Sequence, residues 1–430
     1  MVGFTKKTIK DIDLEGKTVL LRADYNVPLD KQGKILGEYR IDCSVPTIKY
    51  LLGKNCKIVI ISHMGRPGGK RDVKYSLKNV GVCLAKKLDR KVDFIDDCIG
   101  EQVEEKVKTL KPKEILLLEN LRFHKEEKEN DKAFAEQLAV LADVFVQDAF
   151  GVVHRAHAST DAITKFIPSV AGLLLEKEVT AVSSAIRNPK RPLMTIVGGA
   201  KISDKIDVLE TFLKTADVLV VGGAMANTFL LAEGIEIGNS IAEKDEVPEA
   251  KVIIEKAKNE SKNRHFVFYI PSDGVVAKEN KADAKTRIVD WAAHIFASVE
   301  NYPKLPPAQS LNVASDEQIM DVGPFSAAFI AGAMQSVNTV VWNGTLGITE
   351  TPGKTGPIGP FAHGTELLIE GMLGDFGHRP YSLVGGGDTV SYLEERDLVE
   401  SFDHVSTGGG ASLELIAGKK LPGVEALQDK

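Results

Sequence analysis

Seven side chains in the first half of this 430-residue chain could hold an anion: Arg40, His63, Arg66, Arg122, His154, Arg155 and His157. Several follow short apolar runs directly, as in Ser62-His63-Met64-Gly65-Arg66-Pro67 and Glu119-Asn120-Leu121-Arg122. Arginine grips phosphate or carboxylate with a bidentate fork. Asp24 and Asn26, close after the run Thr18 to Leu21, can hydrogen-bond a hydroxyl. Together these types suit a small phosphorylated hydroxy acid. Arg22, His154 and His157 read singly as loop-orienting groups or partners of buried carboxylates, and no catalytic role is assigned to them.

The second half offers glycine instead. Gly198-Gly199-Ala200-Lys201, Gly222-Gly223-Ala224, Asn343-Gly344-Thr345-Leu346-Gly347, Gly385-Gly386-Gly387-Asp388-Thr389 and Thr407-Gly408-Gly409-Gly410 each follow an apolar run. Glycine lets the main chain approach a phosphate, and the amides opening the next helix point at it with the helix dipole behind them. One such turn is ordinary; five expected in one domain describe a nucleotide-phosphate site. Lys201 and Lys205, four apart at an expected helix start and on one face, can both reach the same polyphosphate. A basic pocket and a nucleotide-phosphate pocket on two lobes, with a hinge that closes to exclude water, imply phosphoryl transfer. Neither the GxxxxGK[ST] loop nor the HRD/DFG set is present, so the two commonest kinase chemistries are not indicated.

The elements that must position these residues are short Val/Ile/Leu runs alternating with longer amphipathic segments. They predict an α/β fold of two lobes, each a parallel sheet flanked by helices in Rossmann-like fashion, whose ligands gather beyond the strands' carboxyl ends. Leu173 to Arg187 reads as one amphipathic helix stopped by Asn188-Pro189 and is the expected connecting helix and hinge. The expected organisation is an N-terminal substrate domain over 1–172, the connector over 173–190, a nucleotide-binding domain over 191–405, and a final segment over 406–430. The charged, then proline-rich stretch from Ala277 to Pro307 reads as a surface excursion. A hydrophobic share of 43%, a charged share of 27% and a net charge of -6 suit a folded protein with no general affinity for nucleic acid or an anionic membrane. Neither a signal peptide nor a membrane span is read, and the cytoplasm is the expected compartment. Cys43, Cys56, Cys83 and Cys98 form no CxxC pair and no zinc-type spacing with histidine, so neither a disulfide framework nor a zinc knuckle is expected. No large unexplained apolar face appears, which points to a monomer.

In this order, RADYNVP (Arg22 to Pro28), SHMGRP (Ser62 to Pro67), LLLENLRF (Leu116 to Phe123), DAFGVVHRAHAS (Asp148 to Ser159), GGAKISDK (Gly198 to Lys205), VWNGTLG (Val341 to Gly347), GGGDT (Gly385 to Thr389) and STGGGASLE (Ser406 to Glu414) resemble the phosphoglycerate kinase family across nearly the whole chain. The resemblance implies a substrate site for 3-phosphoglycerate or 1,3-bisphosphoglycerate on Asp24, Tyr25, Asn26, Arg40, His63, Met64, Gly65, Arg66, Arg122 and Arg155. It implies a nucleotide site on Gly199, Ala200, Lys201, Lys205, Gly223, Ala224, Met320, Asn343, Gly347, Glu350, Gly386, Gly387, Asp388 and Thr389. Glu350 would touch the ribose, and Asp388 would hold the Mg²⁺ carried on ATP or ADP. Arg40, Lys201 and Lys205, helped by amides at Gly385 and Gly408, would neutralise the transferring group, and the final segment would return to the N-terminal domain.

Three positions depart from the family's pattern: Ala224 for a glycine, Thr345 for a proline, and Ile319-Met320 for Gly-Leu. All concern the adenine side. Two rival readings, a dinucleotide-dependent dehydrogenase and a non-catalytic anionic-metabolite-binding protein, fit less well. The first lacks a complete GxGxxG turn with its acidic partner; the second would need Arg40 and the lysines to be dispensable.

Overall fold

The computed structural model describes residues 4–292 and 312–430. The chain divides into two compact units, one of residues 1–183 with 407–430 and one of residues 184–406. In the first unit, chain order gives β1 (Thr18–Arg22), α1 (Tyr39–Gly53), β2 (Lys57–Ile61), α2 (Lys78–Leu88), β3 (Asp93–Ile95), α3 (Glu101–Lys108), β4 (Ile115–Leu118), α4 (Lys132–Ala139), β5 (Val144–Gln147) and β6 (Ser169–Ala171). Helix α5 (Leu173–Arg187) follows and straddles the division.

The second unit runs β7 (Leu193–Val197), α6 (Ile206–Thr215), β8 (Val218–Val221), α7 (Gly223–Ala232), α8 (Val247–Asn263), β9 (Val267–Tyr269), β10 (Gly274–Ala277) and β11 (Thr286–Val289). It continues with β12 (Gln318–Val322), α9 (Pro324–Met334), β13 (Thr339–Asn343), α10 (His363–Leu373), β14 (Tyr381–Gly385), α11 (Gly387–Glu395) and β15 (His404–Val405). Helices α12 (Gly409–Ile416) and α13 (Pro422–Glu425) belong to the first unit.

The first unit's sheet has the order β3-β4-β2-β1-β5-β6, every pair parallel. Period-2 alternation sorts its side chains onto two faces. Val19, Leu21, Ile58, Ile60 and Val146 pack with Ile41, Ile48 and Leu84 of α1 and α2. Leu20, Val59, Ile61 and Phe145 pack with Val103 and Leu138 of α3 and α4. Each such side chain, fully removed from water, contributes about 1.5–3 kcal/mol. Burial on both faces explains why these strands read as unbroken apolar runs.

The second unit has a parallel sheet of order β15-β14-β13-β7-β8-β9 and a three-stranded antiparallel sheet β11-β10-β12. That second sheet is a departure from the expected surface excursion. Arg287 on β11 is clamped by Glu317, so the charged stretch up to Trp291 is partly structure. The rest of the excursion, from residue 293, lies outside the described residues.

Both parallel sheets reverse direction of growth beside a central strand. β1 lies between β2 and β5, and β7 between β13 and β8. Loops leaving neighbouring strands at such a point diverge and leave a crevice at the carboxyl ends.

Candidate active site

In the first unit that crevice is a cavity of ≈ 210 Å³ lined by Asp24, Asn26, Arg40, His63, Gly65, Arg66, Arg122 and Arg155. Eight of the ten substrate residues expected from the sequence therefore converge on one space. Arg40, in the first turn of α1, donates from Nη1 to the Asn26 carbonyl at 2.6 Å and sits 3.7 Å from Asp24 Oδ2. The Gly65 amide donates to Asn26 Oδ1 at 2.8 Å, and Arg122 Nη1 donates to the Gly65 carbonyl at 2.7 Å. Gly65 has φ 62, and a Cβ there would lie 2.4 Å from the Tyr75 ring, so only glycine fits. Arg66 and Arg155 remain exposed at the rim.

His63 is buried, and because a guanidinium can only donate, its Nδ1 accepts from Arg22 Nη2 at 3.2 Å. Burial first, then the surrounding arginines Arg22, Arg122 and Arg40, hold its pKa well below the ordinary value. It is a neutral hydrogen-bonding group here. Burial also lowers Arg122 to about 10. Arg22 is wholly buried, donating to Ser159 Oγ at 2.8 Å, with Glu127 3.8 Å away. It braces the site from behind, as its separate reading in the sequence anticipates.

Two expected residues do not reach this cavity. Tyr25 is 0% exposed, with its hydroxyl 3.0 Å from Ser44 Oγ, and Met64 is 2% exposed in the core. Both side chains pack into the core cluster beneath the loops that leave β1 and β2, while Asp24, Asn26 and His63 face the cavity. In this unit, sequence reasoning missed Asn120. Its Oδ1 accepts from the amides of Met64 (3.2 Å) and Arg122 (3.0 Å), while Nδ2 donates to the carbonyls of Met64 (2.8 Å) and Tyr75 (2.9 Å). It thus ties the loop after β2 to the loop after β4.

In the second unit a cavity of ≈ 290 Å³ is lined by Gly199, Ala200, Gly223, Ala224, Met320, Gly347, Glu350 and Asp388, again eight of the expected residues. Its frame is main chain against main chain. A Cβ on Gly223 (φ 64) would meet the Gly199 amide nitrogen at 2.6 Å, and one on Gly198 would meet the Thr345 carbonyl at 2.2 Å. Thr389 Oγ1 accepts from the Gly344 amide at 3.0 Å, tying the loops after β13 and β14. Helices α7 and α11 begin at N-caps Gly222 and Gly386, with no side chain capping either. Amides left for an anion, with the positive end of the dipole behind them, are what a phosphate needs.

Lys205 Nζ donates to the Gly198 carbonyl and lies 3.2 Å from Asn343 Oδ1, which pins the lysine across the loops after β7 and β13. Burial lowers its pKa to about 8, against the opposing pull of Asp388 and Asp204. Lys201 is exposed. The two lysines do not share a helical face: a turn over 203–205 precedes α6, which starts only at Ile206, so their relation is that of a folded loop. Gly387 and Asp388 are exposed in the first turn of α11, and Gly385 closes β14. Gly408 caps α12 in the first unit, where a Cβ would strike Phe150 and Gly151. Four of the five glycine turns thus lie in one unit and the fifth in the other.

Trp291, Asn227 and Asp321 also line the second cavity, and no spacing in the sequence announced them. Asp321 is fully buried, accepts from the amides of Val322 (2.8 Å) and Gly364 (2.9 Å), and is pushed up to about 8 by burial. No described helix is long and apolar enough to cross a membrane.

The family model described as phosphoglycerate kinase matches residues 9–419. The chain is similar to the phosphoglycerate kinase of Moorella thermoacetica, 43% identical over 426 residues that cover 99% of this chain and 100% of that one. It is equally similar to the cytosolic phosphoglycerate kinase of Triticum aestivum, 43% identical over 98% of both chains. Among solved structures, phosphoglycerate kinase from Coxiella burnetii superposes with a TM-score of 0.78 at 37% identity, and that from Pyrococcus horikoshii with 0.80 at 29%, each over 98% of both chains. Matched along nearly its full length and sharing the fold of those solved structures, the chain belongs to the phosphoglycerate kinase family, a family of phosphotransferases.

Proposed function

We propose that the chain transfers a phosphoryl group reversibly between 1,3-bisphosphoglycerate and ADP, giving 3-phosphoglycerate and ATP. One observation carries the reading: eight residues expected to hold an anionic hydroxy acid line a single cationic cavity. Arg66, Arg122 and Arg155 fit the substrate's phosphate, and Asp24 and Asn26 its hydroxyl. In the second unit the glycine-capped starts of α7 and α11, with Lys201 and Lys205, suit the nucleotide phosphates. Met320 and Ala224 suit the base side, and Glu350 the ribose.

The chemistry asks little proton transfer of the protein. The carboxylate of 3-phosphoglycerate is already ionised at neutral pH, so it attacks the γ-phosphorus in line without a general base. What remains is to align two anions and neutralise the equatorial oxygens during transfer, which falls to Arg40 and Lys201 with amides at Gly385 and Gly408. Asp388 is a single exposed carboxylate beside the phosphate-facing amides of α11, a donor that fits Mg²⁺ already held by phosphate oxygens and water. Bound there on the nucleotide, Mg²⁺ supplies charge neutralisation.

The proposed domain roles follow: substrate on 1–172, nucleotide on 191–405, the connector between them, and 406–430 returning to the first. Closure on binding both substrates, a monomeric state and a cytoplasmic setting complete the reading. A coupled assay with MgATP and 3-phosphoglycerate tests it. ADP formation that depends on the acid supports the proposal, and nucleotide binding without acid-dependent turnover overturns it.

A further inference from the structure

Asp97 and Cys98 are neighbours in the sequence and His124 follows Asp97 by 27 residues, yet the three side chains meet in space. Their ligand atoms all lie within 4.8 Å of one another among the described residues. The sheet register brings them together. β3 pairs with β4 through Ile95↔Leu118, so the loops that leave these strands run side by side, and the Glu119 amide donates to the Asp97 carbonyl at 3.3 Å. Asp97 Oδ1 lies 2.8 Å from His124 Nε2 and accepts from the Cys98 amide at 2.7 Å. The His124 ring rests against Phe134, with centroids 5.3 Å apart.

Cys98 is 1% exposed, and its sulfur makes no hydrogen bond to another residue among the described residues. Asp97 and His124 are half-buried, so one side of the cluster is open to solvent. One thiol, one imidazole and one carboxylate, with an open fourth position, form a donor set suited to a borderline-soft divalent ion.

We propose that Asp97, Cys98 and His124 form a binding site for a thiophilic divalent cation of the Zn²⁺ class. Zn–S bonds of about 2.3 Å and Zn–N or Zn–O bonds of about 2.0–2.2 Å place tetrahedral ligands about 3.3–3.6 Å apart. The Asp97–His124 pair, 2.8 Å apart, would open slightly, and the sulfur, within 4.8 Å of both, would close in. On binding, the Cys98 S–H bond breaks, an S–metal bond forms and the proton leaves to buffer. The His124 hydrogen moves to Nδ1 so that Nε2 can ligate. A dication with one thiolate, one carboxylate and a neutral imidazole is locally neutral, which suits a half-buried place. The ion would staple the β3–α3 connection to the loop that carries Asn120 and Arg122.

The test uses the full chain, freed of metal by chelation, titrated with Co²⁺ as a spectroscopic probe and then with Zn²⁺. We expect one equivalent of Co²⁺ to give a thiolate charge-transfer band and strong tetrahedral visible bands, displaced by Zn²⁺ with one proton released. Cys98→Ser should abolish the charge-transfer band, and Asp97→Asn and His124→Gln should each weaken binding at least tenfold, while Cys43→Ser leaves it unchanged. The absence of a charge-transfer band in the unsubstituted chain overturns the proposal, as does its survival in Cys98→Ser. Should Cys98→Ser fail to fold, unchanged affinity in His124→Gln overturns it instead. Turnover of the chelator-treated chain, assayed with MgATP and no added thiophilic metal, should persist, which separates failure of this site from failure of the proposed activity.

Discussion

Replacing Asn120 with alanine should damage the substrate half of the site and leave the nucleotide half alone. Asn120 is 0% exposed, and its amide makes four hydrogen bonds to main-chain groups of Met64, Arg122 and Tyr75. At about 1 kcal/mol net for each buried bond, the variant should lose about 4 kcal/mol of stability. The loss also frees the Gly65 loop from the loop that bears Arg122, whose Nη1 holds the Gly65 carbonyl. Misplacing such a group by about 1 Å costs on the order of 100-fold in catalysis. Urea unfolding gives the first number, and steady-state kinetics with varied 3-phosphoglycerate gives the second. ATP binding by calorimetry should change less than about threefold, since each 1.4 kcal/mol is a factor of ten and no nucleotide contact is touched. A stability loss below about 1 kcal/mol, or equal losses for acid and nucleotide, would refute the reasoning.

Arg40→Met should lower kcat by about 100- to 1,000-fold, the cost of removing one preorganised charge from a transition state, with the KM for ATP nearly unchanged; parallel losses in both count against it. Lys205 has a pKa lowered to about 8, so its charge is lost as pH rises through that value, and a bound polyphosphate favours the charged form. MgADP affinity should therefore fall between pH 8 and 9 by up to about tenfold, with proton uptake on binding, and this slope should vanish in Lys205→Met. Calorimetry in buffers of different ionisation heat reads both. Gly223→Ala combines φ 64 with a Cβ 2.6 Å from the Gly199 nitrogen, so ATP binding should drop below detection while 3-phosphoglycerate binding persists; normal ATP affinity in the folded variant contradicts the close-packed phosphate frame.

What could be read from the sequence was set by how much of each element is buried. β1, β2, β4 and β5 are enclosed on both faces and announce themselves as apolar runs. β3 (DFI), β6 (SVA) and β11 (TRIV) are short or only half-buried, and their composition does not separate them from loops. Site residues placed straight after buried strands were legible because sheet topology makes those positions converge. The side chains of Tyr25 and Met64 lie in the core, because motif membership does not say which way a loop residue faces. Asn120 was invisible because its Met64 partner lies 56 residues away, and the Asp97–Cys98–His124 cluster because two loops supply it. The Lys201–Lys205 relation failed on a helix boundary, where the Gly-Gly turn continues through residue 205.

If the cationic and the glycine-rich cavities serve one phosphoryl transfer to a carboxylate, the product is an acyl phosphate. Incubating the chain with MgATP, 3-phosphoglycerate and hydroxylamine tests it most directly, since hydroxylamine traps an acyl phosphate as a hydroxamate. Equal amounts of ADP and hydroxamate, both dependent on the acid, are the predicted result. ADP formed without hydroxamate, or at the same rate when the acid is left out, would contradict it.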